Sequence, residues 1–239
     1  MEANKQLRPD DRATAFFRSD PPTGAAKRGP MKTKAIASVV VTMLAACTLA
    51  GMEPVEGREY RKLARPLPSL AAPGKVEVVE FFTYQSKPCA LLDPALTAWS
   101  RTLPPGVVFR RVHVAFRPAS EPLQKLFITL EGMGLLDRLH PLIFQEVDRQ
   151  GSRLERPETI ANWVAEQGVE RATFLERYNS FSTAAEQHRV NQLWHQAEMV
   201  GVPSVVVGGK FCVAEPGTND HGPWLRTLDA LIVKARDER

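Results

Sequence analysis

The feature that most constrains the fold is a short apolar run followed almost at once by the start of a helix. The segment 76–82, VEVVEFF, is apolar at five of seven positions, which is typical of a strand buried on both faces. Ser86, an early Pro88 and apolar residues at helical spacing then mark a helix start, and 107–115 alternates as a second strand. A helix of this length between two strands predicts a parallel strand–helix–strand crossover, and so an α/β fold.

The rest of the chain completes the order β-α-β, helical block, β-β-α. Residues 118–199 lack a strand pattern, and their apolar spacing predicts helices. A strand over 201–207, a hairpin turn at Gly208-Gly209 and a returning strand over 210–214 follow. Predicted helices after the crossover lie at about 120–133, 135–150, 158–167, 170–179, 181–199 and 220–236.

The positive charge of the chain is confined to its beginning. The net charge of +4 by itself suggests an acidic partner such as nucleic acid. Residues 48–239, however, carry 23 Lys or Arg and 23 Asp or Glu, without a dense basic cluster. We therefore expect no nucleic-acid partner.

The first 47 residues are typical of an export leader. Residues 1–30 are polar and are predicted to be unstructured, belonging to a mis-assigned start upstream of the true initiator, Met31. Residues 31–47 combine a basic start with an apolar stretch too short to span a membrane. They end in Leu-Ala-Ala-Cys, so Cys47 is a candidate lipidation site, the alternative being a plain signal cleaved after Ala50. Residues 48–73 are Pro-rich and predict a linker with one short strand near 60–63.

Two segments of the exported part resemble one known family. The segment 78–89, VVEFFTYQSKPC, resembles the part of the DsbA family that ends in its C-x-x-C motif, and 201–211, GVPSVVVGGKF, resembles that family's cis-proline loop and hairpin. The resemblance extends over roughly 54–236. It implies a thioredoxin-like α/β fold with an inserted helical domain: 74–117 and 200–238 form the thioredoxin-like domain and 118–199 the insertion.

The resemblance also implies a function and partners. DsbA-like proteins are periplasmic thiol:disulfide interchange proteins that act on exported proteins and depend on a membrane redox partner. It therefore predicts a periplasmic location, with the protein soluble or anchored to a membrane by a lipid on Cys47. It implies no cofactor, apart from glutathione under one alternative given below.

This chain departs from the family at the first motif cysteine, where it has Ser86. A hydroxyl cannot form a disulfide, so the two-cysteine redox couple cannot exist here and dithiol oxidase activity is expected to be impaired or lost. Ser86 also suits a helix N-cap. Cys89 holds the position of the resolving cysteine, in the first helical turn and partly covered. The helix dipole and Lys87 could favour its thiolate, but an inert, packed thiol is equally compatible with the sequence.

The remaining site residues follow from the resemblance. Glu80 matches the buried acid beneath the motif. Val202 and Pro203, joined by a cis peptide bond, are expected to bind an extended substrate together with Lys87 and Pro88 of the motif.

No disulfide and no metal site are predicted. Cys212 lies on the returning strand, too far from the helix start for the Cα spacing that a Cys89–Cys212 disulfide needs. The histidines show no metal-ligand spacing. They are His113, His140, His188, His195 and His221.

Three functions remain open. The first is an exported DsbA-like interchange protein whose redox chemistry is reduced to one thiol or lost. The second is a non-catalytic, chaperone-like module that binds peptides at the cis-proline. The third is glutathione chemistry similar to that of kappa-class transferases, which hold the glutathione thiol with a serine at the position of Ser86.

Overall fold

One five-stranded sheet organises the protein. The computed structural model describes residues 53–149, 154–215 and 217–238. The strands are β1 (Arg61–Lys62), β2 (Val76–Phe82), β3 (Val107–His113), β4 (Ser204–Val207) and β5 (Phe211–Ala214). The helices are α1 (Lys87–Ser100), α2 (Glu121–Gly132), α3 (Leu136–Asp148), α4 (Pro157–Glu166), α5 (Arg171–Tyr178), α6 (Phe181–Gln196) and α7 (Gly222–Asp237), and a 3-10 turn (Pro118–Ser120) precedes α2.

Strand β2 is an interior strand of the sheet, whose order is β1-β5-β4-β2-β3. It pairs in parallel with β3, from Val76 opposite Val107 to Phe82 opposite His113, and in antiparallel fashion with β4. All seven of its residues are buried, as expected for a strand covered on both faces. Helix α1 forms the crossover between β2 and β3, and helices α2–α6 lie between β3 and β4 in the chain. This arrangement confirms the predicted thioredoxin-like α/β fold.

The two faces of the sheet bury separate apolar clusters. Leu96 of α1 and Leu228 of α7 pack with Val78 on one face, whereas Val190 of α6 packs with Phe81 on the other. A third cluster fills the helical region, and it reaches the end of β2 through Phe82. The carboxyl end of β2 is therefore where the sheet, α1 and the helical block meet.

The segment predicted to be a linker with one short strand near 60–63 contains that strand, β1, and the strand belongs to the sheet. Strand β1 pairs with β5, and Leu63 and Leu67 are buried. The Leu67 N–H donates to the Gly209 carbonyl at 2.8 Å. A Cβ on Gly209, whose φ is +69°, would lie 2.6 Å from the Leu67 oxygen, so this close approach requires glycine. The prolines of the segment are tolerated because they flank an edge strand.

Two predicted elements differ from the structure at one end, and the predictions for the leader concern residues that the structure does not describe. Strand β4 begins at Ser204 rather than at residue 201, and α6 ends at Gln196 rather than at 199. The predictions for residues 1–47, including the signal peptide and Cys47, lie outside the described residues. Within the part of the chain that the structure describes, no helix is both long enough and apolar enough to cross a membrane.

Candidate functional site

The S-x-x-C motif forms the first turn of α1. Ser86 is the N-cap, with extended backbone angles (φ −96°, ψ 116°), and its hydroxyl accepts a hydrogen bond from the Cys89 N–H at 3.3 Å. The Ser86 N–H donates to the Thr83 carbonyl at 3.1 Å, which closes the turn after β2. Pro88 occupies the first turn, where its missing N–H would have no helical partner. Ser86 therefore holds the capping position that its sequence context predicts.

Cys89 is more deeply buried than the sequence led us to expect. Its side chain has no exposed surface, and burial raises the pKa of its thiol to about 12, although the hydrogen bond with Ser86 opposes the rise. The charges of Glu80 and Glu215 raise that pKa further, and Lys87 is exposed to solvent. The expectation of a partly covered thiol was thus wrong, because α1 packs its first turn onto the helical core. A neutral thiol is the stable form here.

The cis-proline loop lies next to the motif. The Val202–Pro203 peptide bond is cis, and Val202 packs against the same cluster that contains Cys89. The Pro203 carbonyl accepts from the Glu215 N–H at 3.2 Å. Among the described residues, no hydrogen bond uses the backbone of Val202. Its N–H and carbonyl are therefore available to an extended partner segment.

Apolar side chains continue this surface beyond the loop. Phe116 is 50% exposed and meets the Trp194 ring edge to face at 5.1 Å. Trp194 packs in the same cluster as Val202, and Val200 is 94% exposed. We call the surface formed by the exposed Phe116 and Val200, the half-buried Trp194 and Val202, and the buried Pro203 the cis-proline edge.

A buried ionic network lies beneath the motif. Glu80 accepts from the Arg111 Nε at 3.0 Å, and Arg111 Nη2 donates to Asp93 at 3.0 Å. Burial raises the pKa of Glu80 to about 7 in spite of the Arg111 charge. Burial would also raise the pKa of Asp93, but the hydrogen bond from His140 and the charge of Arg111 hold it below its usual value. The expected buried acid, Glu80, is thus one member of a larger charged group.

A hydrogen-bonded chain joins this network to the helical block. Asp93 contacts His140 Nε2 at 3.1 Å, and the Tyr84 hydroxyl contacts His140 Nδ1 at 2.7 Å. Burial lowers the pKa of His140, so the ring is neutral near pH 7, with Nε2–H donating to Asp93 and the tyrosine donating to Nδ1. Burial also lowers the pKa of His113 to about 3.

Sequence reasoning missed most of this network. Arg111 falls in an alternating strand, and the side chains of Asp93 and His140 fall within helical patterns. The one usable signal was spacing, because Asp93 follows Cys89 by four residues and so lies on the same face of α1. The histidines, which the sequence did not distinguish, occupy different environments. His113 and His140 are buried, whereas His188 forms a hydrogen bond with Gln192 within α6. No group of three or more candidate metal ligands occurs among the described residues.

Cys212 takes no part in the motif. It pairs with Val206 on β4 and packs with Phe81, on the face of the sheet that α6 covers. Its Sγ lies 3.6 Å from Met199 Sδ. Cys89 and Cys212 are both free and buried, in agreement with the expectation that they form no disulfide.

A capped S-x-x-C turn beside a cis-proline, at the carboxyl end of β2, places the chain in the class of thioredoxin-fold proteins. The model of the DSBA-like thioredoxin domain family matches residues 77–220. The chain belongs to the DsbA family.

Individual relatives and solved structures also support membership of the DsbA family. The thiol:disulfide interchange protein DsbA of Bordetella parapertussis is 37% identical over 180 residues, covering 75% of this chain and 85% of the relative. The Pseudomonas aeruginosa DsbA is 32% identical over 203 residues, covering 83% and 96%. Crystal structures of DsbA from Pseudomonas aeruginosa and Xylella fastidiosa match with TM-scores of 0.71 each, at 33% and 27% identity; both cover 77% of this chain, and 96% and 98% of the respective relatives.

Proposed function

We propose that this chain is an exported member of the DsbA family that binds extended segments of exported proteins at its cis-proline edge. It does so without transferring a disulfide through its own motif. The family membership supports the class of partner, and the motif chemistry argues against disulfide transfer.

The observation that carries the proposal is the state of the two motif side chains. Disulfide transfer needs a thiolate that attacks an accessible sulfur and a second thiol that resolves the mixed disulfide. Here Ser86 supplies no sulfur, and Cys89 is buried with a pKa of about 12. At pH 7 such a thiol is ionised in roughly one molecule in 10⁵. The attacking sulfur is therefore absent at position 86, and Cys89, buried and protonated, does not replace it.

Two features of the cis-proline edge support the binding half of the proposal. The free backbone of Val202 suits main-chain pairing with an extended segment. Phe116, Trp194 and Val200 supply apolar area beside it, which suits the apolar side chains of an unfolded chain. A membrane redox partner, implied by the family resemblance, would find no disulfide to re-form at a site with one thiol.

Glutathione chemistry is the weaker alternative. The Ser86 hydroxyl already accepts the Cys89 N–H as a helix cap. The match to the DsbA family over residues 77–220 favours protein segments over glutathione as the ligand.

Disulfide exchange tests the chemical half of the proposal. We expect wild type to show background rates with a reduced, disulfide-forming peptide, and Ser86→Cys to gain exchange because the second sulfur is restored. Adding Cys89→Ala to Ser86→Cys should remove that gain in turnover. Exchange by wild type that is lost in Cys89→Ala would contradict the proposal and identify a single-thiol enzyme.

Binding tests the other half. The probe is a permanently unfolded, carboxymethylated protein, followed by fluorescence anisotropy. Phe116→Asp should weaken binding about tenfold, because a charge replaces an apolar contact. Phe181→Asp is the matched control, since Phe181 is 88% exposed but lies at the start of α6, outside the cis-proline edge. Equal affinity of both variants and wild type, or no binding by wild type, would overturn the proposal.

A further inference from the structure

A charged cavity lies between α1 and α3, separate from the cis-proline edge. It has a volume of about 280 Å³ and adjoins a second hollow that shares Asp93, Pro94 and Pro141 with it. Both prolines lie inside their helices, so neither can donate a backbone hydrogen bond across the cleft. The remaining side chains of the lining come from Thr97, Ala98, Arg101, Arg111, Leu136, Asp137 and His140.

One part of the lining presents cationic hydrogen-bond donors. Arg111 uses Nε and Nη2 to bind Glu80 and Asp93, whereas its Nη1 makes no hydrogen bond to any described residue. Arg101 is exposed at the end of α1, and its guanidinium forms no ion pair with the described part of the chain. Guanidinium groups with unused N–H donors suit a carboxylate.

The other part presents anionic acceptors. Asp93 is buried, and its Oδ1 accepts from Thr97, Arg111 and His140, whereas Oδ2 accepts from no described residue. The exposed Asp137 carboxylate likewise lacks an ion pair within the described ranges. Because Pro141 has no N–H, the Asp137 carbonyl also lacks its usual i+4 donor. These oxygens suit an ammonium group, which donates three hydrogen bonds.

The charges of the lining balance, and the walls between them are apolar. The lining contains two arginines and two aspartates, His140 is neutral near pH 7, and Ala98, Leu136 and the two prolines supply aliphatic surface. Asp93 and Arg111 are fixed by the buried network, so little freedom would be lost when a ligand binds. We propose that this cavity binds a small zwitterion with an aliphatic side chain, either a free α-amino acid or a short peptide carrying both charged ends.

Nuclear magnetic resonance titration of the purified protein with four probes tests this assignment. L-Leucine carries both charges, N-acetyl-L-leucine lacks the ammonium and L-leucinamide lacks the carboxylate, while L-leucyl-L-alanine separates the charges as a dipeptide does. We expect saturable shifts around the cavity with L-leucine or the dipeptide, at a dissociation constant of the order of 1 mM. Each single-charge probe should bind at least about tenfold more weakly. The tighter of the two zwitterions identifies the source.

Two variants and two controls link the signal to the cavity. Arg101→Ala and Asp137→Asn should each weaken zwitterion binding about tenfold or more, while dispersed spectra show that the variants remain folded. Arg65→Ala and Asp237→Asn remove exposed charges outside the lining and should leave binding unchanged. The proposal is wrong if neither zwitterion saturates by about 10 mM, if the single-charge probes bind equally well, or if the cavity variants match their controls.

Discussion

At the scale of single residues, the motif separates two properties that a cysteine at position 86 would combine. An oxygen there accepts the Cys89 N–H and begins α1, but it provides no redox sulfur. Glu80, underneath, remains buried and paired with Arg111. The motif thus combines a helix cap with a buried ion pair beneath it, and both features have measurable effects on stability.

Because the Ser86 hydroxyl caps α1, removing it is predicted to lower the stability of the protein. Ser86→Ala should lower the free energy of unfolding by about 1 kcal/mol, because the Cys89 N–H loses its acceptor. Ser86→Asp, which keeps an acceptor at the same place, should lie closer to wild type. Urea denaturation with a constant m-value measures both. Equal stability of Ser86→Ala and Ser86→Asp would show that the cap contributes nothing.

Glu80 predicts a particular dependence of stability on pH. Its pKa is about 7 in the folded protein against 4.5 as the ordinary value, so the folded state holds a proton that the unfolded state releases earlier. The stability it contributes is complete below about pH 4.5 and is lost as the pH rises through 7. Over this range the loss amounts to about 3 kcal/mol at most.

Glu80→Gln, which cannot titrate, should remove that decline. Its unfolding free energy, measured from pH 4.5 to 8.5, should fall less steeply than that of wild type, and the two curves should converge or cross towards high pH. Taking the difference between the two proteins reduces the contribution of other buried groups, such as His140, whose lowered pKa makes stability rise with pH towards 6.5. Parallel curves would contradict the raised pKa of Glu80.

At the scale of elements, the sequence predicted each helix and strand of the crossover and the hairpin because their apolar periodicity is local. The start of α1 at Ser86 and the turn at Gly208-Gly209 were visible from capping and turn chemistry. The ionic network was not, because Arg111 and His140 are brought to Asp93 only by the pairing of β3 with β2 and by the packing of α3.

The depth of Cys89 escaped prediction for a related reason. A residue in the first turn of a helix is exposed or buried according to what packs over that turn, and here the helical block covers it. The short strand predicted near 60–63 is confirmed as β1, but its pairing with β5 could not be predicted, because that contact joins distant parts of the chain.

Replacing the proline inside α1 is predicted to raise the stability of the protein. Pro94 occupies the helix interior and leaves the Ala90 carbonyl without its i+4 donor. Pro94→Ala should therefore raise the unfolding free energy by about 1–2 kcal/mol. Pro88→Ala is the matched control in the same helix, because the first turn tolerates proline, and it should stay within about 0.5 kcal/mol of wild type. A loss of stability in Pro94→Ala would show that the ring contacts outweigh the missing hydrogen bond.

At the scale of the whole molecule, the sequence outside the described residues bears on where the protein is found. The basic, apolar leader over 31–47 predicts export, and Cys47 offers a site for a lipid. An exported and neutral domain is consistent with partners that are themselves exported proteins rather than nucleic acids.

Export and lipidation can be separated in cells. The full chain should be processed near Cys47, with incorporation of labelled palmitate and recovery with membranes, and Cys47→Ala should abolish the label. Cys212→Ala should leave the label unchanged, because a lipid is attached only at the new N-terminus. Processing without label in wild type would indicate a plain signal peptide, and cytoplasmic recovery of the intact chain would contradict export altogether.

The placement of the two buried cysteines gives the protein an unexpected chemical resilience. Cys89 has no exposed surface and Cys212 only 4%, and both are free, so an oxidised neighbour has little access to either thiol. In a compartment whose enzymes cross-link available thiols, the folded domain should behave almost as a cysteine-free protein. It would neither consume oxidising equivalents nor become trapped on its clients, and each encounter could end by simple dissociation.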